Sequence, residues 1–174
     1  LGLPRAGSWL NATPIPALGL KLRPSEFVMA SRLRLGCPVY DQEGPCPLCL
    51  QPSDRHGDHA LCCGTGGERI TRHNTLRDHL YQLAASAALN PSRESRFLLP
   101  GQERRPADVF IPSWAGGLDA ALDVTVVNPL QTALVAGAAA TPGHALSYRY
   151  NTKMAGAAED CQREGIKFLP IVIE

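Results

Sequence analysis

The chain has 174 residues, 44% of them hydrophobic, and a net charge of +1, enough for one ordinary domain with a small satellite. It contains no apolar run of about 18 residues, which excludes a helical membrane span. Its charge is uneven: residues 1–40 hold five Lys/Arg against one acid, 68–105 seven against four, and 106–174 four against seven. An acidic site beside basic flanks suits a metal-dependent enzyme acting on a polyanion, although ordinary salt-bridged surface has the same polarity. The start has no Met and no signal-peptide pattern, so the chain reads as a piece excised from a larger polypeptide.

Leu1 to Arg23 is rich in Pro, Gly and Leu without a period and reads as extended chain, with Trp9 its anchor. Pro24 to Leu35 is a predicted short helix with Glu26 in its first turn and Gly36 after its end. Phe27, Val28, Ser31 and Leu35 form its expected buried stripe. Residues 1–36 are therefore an N-terminal extension. The turn-rich segment 37–67 holds Cys46-Pro47-Leu48-Cys49, then His56, His59, Cys62 and Cys63. Thiolates and imidazoles at this spacing suit tetrahedral Zn²⁺ in a structural role. Cys46, Cys49, His59 and Cys63 are the expected ligands, because a helical turn would bring His59 and Cys63 to one ion. His56 and Cys62 are the reserve pair. Cys37 and Cys161 read as core residues.

Residues 68–174 are the expected core. Glu68 to Leu89 is the strongest predicted helix, with Ile70, His73, Leu76, Leu80, Leu83, Ala84 and Ala87 at helical spacing and Asn90-Pro91 as the stop. Arg69, Arg72, His73, Asn74 and Arg77 crowd its first turns, where phosphate contacts are favoured; a solvated helix face is the alternative. Phe97 to Leu99 is a candidate strand. Two apolar runs, Ala107 to Ile111 and Ala121 to Val127, then flank a turn-rich insert from Pro112 to Asp119 and predict a hairpin with a long loop. Trp114, in that loop, reads as a core aromatic or, failing that, a stacking group. Pro129 to Gly137 suggests a short helix or lid. His144 to Glu164 is a second long helix closed by Gly165, and Lys167 to Ile173 is a strand that Pro170 confines to an edge or bulge. The order, αβββαβ, predicts an α/β fold: a small mixed sheet flanked by helices.

Each hairpin strand carries one acid in an apolar run, Asp108 and Asp123. Isolated buried carboxylates are costly, and two on neighbouring strands repel. A divalent cation between them removes both penalties, so the pair reads as ligands for Mg²⁺ or Mn²⁺ with positions left for water and phosphate. The plainer alternative is strand capping or pairing with Arg104 and Arg105. Nucleases built on two acids usually add a lysine at the attacked phosphate. Two residues after Asp123 stands Thr125, so the expected lysine is Lys153 on the following helix, with Arg149 one turn earlier and Lys167 as rival. Glu94, between Arg93 and Arg96, is a candidate further catalytic oxygen ligand.

Taken together, CPLC…GDHALCC, TRHN, RPADVF, ALDVTVVNP and a later helical lysine resemble the C-terminal restriction-endonuclease-like domain of site-specific non-LTR retrotransposons. The resemblance runs from about Gly7 to Glu174. It implies a PD-(D/E)xK nuclease core with Asp108 and Asp123 as acids, Lys153 as the displaced lysine, and Cys46, Cys49, His59 and Cys63 as a CCHC zinc set. It further implies nicking of DNA, branched or bulged DNA included, so that the freed 3′-hydroxyl primes reverse transcription. The implied partners are DNA, contacted through Arg69, Arg72, His73, Arg77, Arg105 and Arg149, and the reverse-transcriptase portion of a parent polypeptide. The setting is nuclear, and neither a membrane nor a small-molecule substrate is expected. A zinc-containing DNA-binding module without cleavage is the alternative.

Overall fold

The computed structural model describes residues 7–96, 98–99 and 105–174, and the chain divides into two compact units after Arg69. The described residues of the first unit open with two short 3₁₀ turns, Ser8–Asn11 and Pro16–Leu18, where unperiodic extended chain was expected. Trp9 meets Phe27 with ring centroids 6.1 Å apart. Helix α1, Pro24–Leu35, starts where Glu26 Oε2 accepts the Arg23 N–H at 2.7 Å, and ends at Gly36 with φ 67°. Its expected apolar stripe is not buried: Phe27, Val28 and Leu35 are exposed, and Ala30, Ser31, Leu33 and Arg34 form the more covered side. Cys37 is likewise exposed rather than core. The segment that follows is a two-residue antiparallel ladder, β1 (Gly44–Pro45) against β2 (Pro52–Ser53), and a single turn of helix, α2 (Asp58–Cys62).

The second unit is a mixed four-stranded sheet flanked by helices. Helix α3, Glu68–Ser86, begins at the close of the first unit and runs into the second. Strands β3 (Ser92–Arg93), β4 (Val109–Ala115), β5 (Leu118–Val126) and β6 (Ile166–Ile173) lie side by side in that order. The first two pairings are antiparallel, and β5 and β6 are parallel. A parallel pair needs a crossover, supplied here by α4 (Val135–Ala140) and α5 (His144–Arg163). Pro170 sits in β6, an edge strand, as a residue without an N–H requires.

Three expectations differ in position. The first strand is Ser92–Arg93; Leu98 and Leu99 are not in a strand, and Phe97 lies outside the described residues, as do Pro100 to Arg104. The hairpin has a two-residue turn, not a long loop: Gly116 and Gly117, at φ 61° and 79°, give the two left-handed positions of a tight primed turn. Pro112 to Trp114 are absorbed by a register shift between Ile111 and Ala115, where Ser113 adopts φ 51° and its N–H donates to Asp119 Oδ1 at 2.9 Å. Trp114 is partly exposed there and is not a core aromatic. The short helix also begins later than expected, at Val135.

Alternation along the strands divides the core. Val109, Ile111, Ala120 and Leu122 pack with Leu80, Tyr81 and Ala84 of α3. Ala121 and Phe168 pack on the other face with Met154, Ala157, Ala158 and Cys161 of α5. Ile70, Leu83 and Ala87, assigned to the α3 stripe by period, are exposed. The middle of β5 is covered on both faces, so Asp123 has little access to bulk water.

Candidate metal cluster and acid pair

In the first unit, local turns gather four ligand side chains. The Cys46 N–H donates to the Gln51 carbonyl at 2.8 Å and the Leu50 N–H to the Cys46 carbonyl at 2.9 Å, curling the chain so that Cys46 and Cys49 turn inward. Gly57, at φ 87°, redirects the chain into α2, and the Cys63 N–H, just past its end, donates to the His59 carbonyl at 2.7 Å, which brings the two residues together. Cys46 Sγ lies 4.0 Å from Cys63 Sγ and Cys49 Sγ 3.2 Å from His59 Nε2, with all four ligand atoms within 4.8 Å of one another. Around an ion with Zn–S bonds of about 2.3 Å, tetrahedral geometry separates sulfurs by roughly 3.8 Å. The Cys₃His cluster can therefore hold a metal ion such as zinc.

Backbone donors prepare these thiols. The N–H groups of Leu48 and Cys49 pull the Cys46 thiol below its ordinary value, and that of Thr65 does the same for Cys63. The Gln51 N–H acts in the same sense on Cys49, but burial and the neighbouring Cys46 and Cys63 carry that thiol upward. A cation among them would relieve this crowding. Asp54, not singled out from sequence, underpins the turn: its Oδ1 accepts the Asp58 N–H at 3.0 Å and its Oδ2 the His59 N–H at 2.7 Å. Burial opposes its charge, yet the N–H groups of His59 and Asp58 outweigh that and hold its carboxyl low. An aspartate in a turn-rich stretch, able to accept backbone N–H groups shortly after it, was the available signal. The reserve residues His56 and Cys62 are exposed and outside the cluster.

In the second unit, the chain before β4 brings Asp108 beside β5. The Asp108 N–H donates to the Leu122 carbonyl at 2.9 Å, and Asp108 Oδ2 accepts the Val124 N–H at 2.7 Å. Its other oxygen, Oδ1, lies 3.0 Å from Nε2 of His73 on α3. Asp123 projects toward α5, where Lys153 Nζ lies 2.7 Å from its Oδ2. Burial raises the Asp123 carboxyl above its ordinary value; Lys153 draws it down, and the neighbouring Asp108 raises it further. Thr125, two residues along the same face, is buried and accepts a hydrogen bond from Arg149 Nε at 3.3 Å. Lys153 and Arg149, four residues apart on α5, thus lie beside Asp123 and Thr125, two apart on β5. Lys167, the rival lysine, is exposed at the start of β6.

Other candidates are placed differently. Glu94, at φ 46°, does not join the acid pair: its carboxylate is engaged by Arg77 and Arg105, while its N–H donates to the Asp108 carbonyl at 2.9 Å. Arg77 also holds Asp78 at 3.0 Å and is largely buried, so it does not stand free toward solvent, and Arg105 shares its task. Arg72 is half-buried on α3, whereas Arg69 is exposed, with its guanidinium beside Gly64. Among the described residues, only the Cys₃His set gathers three or more Cys, His or acidic ligand atoms closely enough for one ion. Among the described residues no third Cys, His or acidic ligand atom joins the two aspartates closely enough for one ion, and His73 is a partner of Asp108. That role was missed from sequence because 35 residues separate the two.

No model of a known protein family matches this chain, and no curated protein or solved structure matches it either.

Proposed function

We propose that this chain is a divalent-metal-dependent DNA endonuclease whose Cys46, Cys49, His59 and Cys63 cluster is a structural zinc site. The observation that carries the proposal is that Asp108, just before β4 and bonded to the Val124 N–H at 2.7 Å, neighbours Asp123 on β5, with Lys153 at 2.7 Å from Asp123. The donor set suits a hard cation: two carboxylates in a covered place, one of them raised by burial and by its neighbour, gain most from an ion such as Mg²⁺ or Mn²⁺. Such an ion, when bound, supplies a water acidified for attack and polarises the phosphodiester. Asp108 and Asp123 hold and orient it. The ammonium of Lys153 stabilises the charge that develops on the attacked phosphate, and Arg149, fixed on Thr125, neutralises the strand alongside. The products would carry a 5′-phosphate and a 3′-hydroxyl.

In this reading residues 37–67 form the zinc knuckle and residues 68–174 the nuclease core. The resemblance to the retrotransposon domain extends the proposal to target-site nicking in the nucleus, with a reverse-transcriptase portion as partner. One observation favours a second reading, a zinc-containing DNA-binding module without cleavage. Both Asp108 oxygens and one Asp123 oxygen already have donors, so the acids are satisfied without an ion. Labelled branched and linear DNA incubated with the chain plus Mg²⁺ or Mn²⁺ separates the two. The nuclease reading requires that the parent cut while Asp108→Ala and Asp123→Ala bind without cutting. Binding with no cutting by the parent supports the second reading.

A further inference from the structure

Two features of Asp108 go beyond that reading. Both of its carboxylate oxygens are fixed by partners from different elements, Oδ1 by His73 Nε2 at 3.0 Å and Oδ2 by the Val124 N–H at 2.7 Å. Asp123, by contrast, is held by the long and half-exposed side chain of Lys153. A carboxylate oxygen has two lone-pair directions, so a donor on each oxygen of Asp108 sets the plane of the group and leaves a direction on each for a cation. His73 can supply this because α3 is anchored further along by Leu80, Tyr81 and Ala84 on the sheet. One turn after His73, Arg77 engages Glu94, whose N–H holds the Asp108 carbonyl at 2.9 Å. The same helix face therefore fixes Asp108 at its side chain and, through Glu94, at its backbone.

We propose that His73 is a positioning residue: its Nε2–H donates to Asp108 Oδ1 and orients that carboxylate toward a divalent cation. This rests on the assignment of Asp108 and Asp123 as cation ligands. His73 is not grouped with both aspartates in a set close enough for one ion, so its role is assigned through Asp108, whose Oδ1 its Nε2 meets at 3.0 Å. Partners that orient a metal-binding carboxylate typically change affinity by roughly 10- to 100-fold when removed.

Mn²⁺ binding to the zinc-loaded chain, measured by calorimetry beside DNA cleavage, provides the test. The parent should bind Mn²⁺ at a site lost in Asp123→Ala. His73→Leu, with unchanged zinc content and thermal midpoint, should weaken that site roughly 10- to 100-fold. His73→Gln, which restores an N–H at the same reach, should stay within about threefold of the parent. Equal affinity of parent and His73→Leu overturns the proposal, as does equal loss in both variants. If the parent binds Mn²⁺ at the aspartates but never cuts DNA, the nuclease reading fails and the positioning role stands. Binding that Asp123→Ala leaves unchanged removes the aspartate site and the proposal with it. Nitrogen-15 NMR of the imidazole in the unaltered chain is independent of any variant's folding: a proton on Nε2 supports the role, and an unprotonated Nε2 overturns it.

Discussion

Replacing Lys153 by Met retains most of the side chain's length and apolar stem and removes only the charge beside Asp123. The pair is 2.7 Å apart, with side-chain exposures of 29% for Lys153 and 15% for Asp123, between a surface ion pair and a buried one. At an effective dielectric of about 20, unit charges at that distance attract by about 6 kcal/mol before desolvation is subtracted. Exposed pairs retain up to about 1 kcal/mol, and breaking a buried pair costs about 3–5 kcal/mol because the other charge is left stranded. Lys153→Met should therefore cost about 1–3 kcal/mol in Mg²⁺-free urea unfolding near neutral pH. The loss should shrink in acid, where Asp123 takes up a proton, and in an Asp123→Asn background, where no charge is left to strand. Cleavage should fall roughly 10²- to 10³-fold, the range for removing one preorganised charge-stabilising donor. A Lys153→Met loss of the same size in the Asp123→Asn background would refute the reasoning, because the cost would then lie in packing of the stem.

Other expectations follow from the same geometry. Cys49→Ser should lower bound zinc, read by elemental analysis, and free the 37–67 segment to proteolysis, because that segment buries too little to fold without the ion. Gly57→Ala should destabilise the first unit by about 1–3 kcal/mol in urea: Gly57 has φ +87°, and an added Cβ would lie 2.9 Å from Val39 Cγ2. For pH, burial, only partly offset by Lys153, holds the Asp123 carboxyl above its ordinary 3.8, so the folded chain binds this proton more tightly than the unfolded chain. Its contribution must therefore fall as pH rises from 3.8 through the raised value, and saturating Mn²⁺ above that window should restore it. A series of urea titrations across that range checks this; Asp123→Asn should remove both the slope and the Mn²⁺ response.

What was legible in the sequence was what neighbours along the chain decide. Cys46 with Cys49, and His59 with Cys63, are each brought together by one turn of local backbone, so spacing alone nominates the cluster that the structure gathers within 4.8 Å. The long helices and the edge strand followed from period, Gly stops and Pro170. The two aspartates were legible because an acid in an apolar run needs a partner wherever the run is buried. Tertiary structure decided who those partners are. Asp123 meets Lys153, Asp108 meets His73, and Glu94 is drawn off by Arg77 and Arg105, each across a span that only packing of α3 and α5 on the sheet can close. Exposure of Phe27, Ile70 and Leu83 was also beyond reach, because a period names a helix face and not the surface that will cover it. Local geometry is set by a few dihedrals and hydrogen bonds, whereas a contact 35 residues apart, such as His73 to Asp108, depends on where whole elements come to rest.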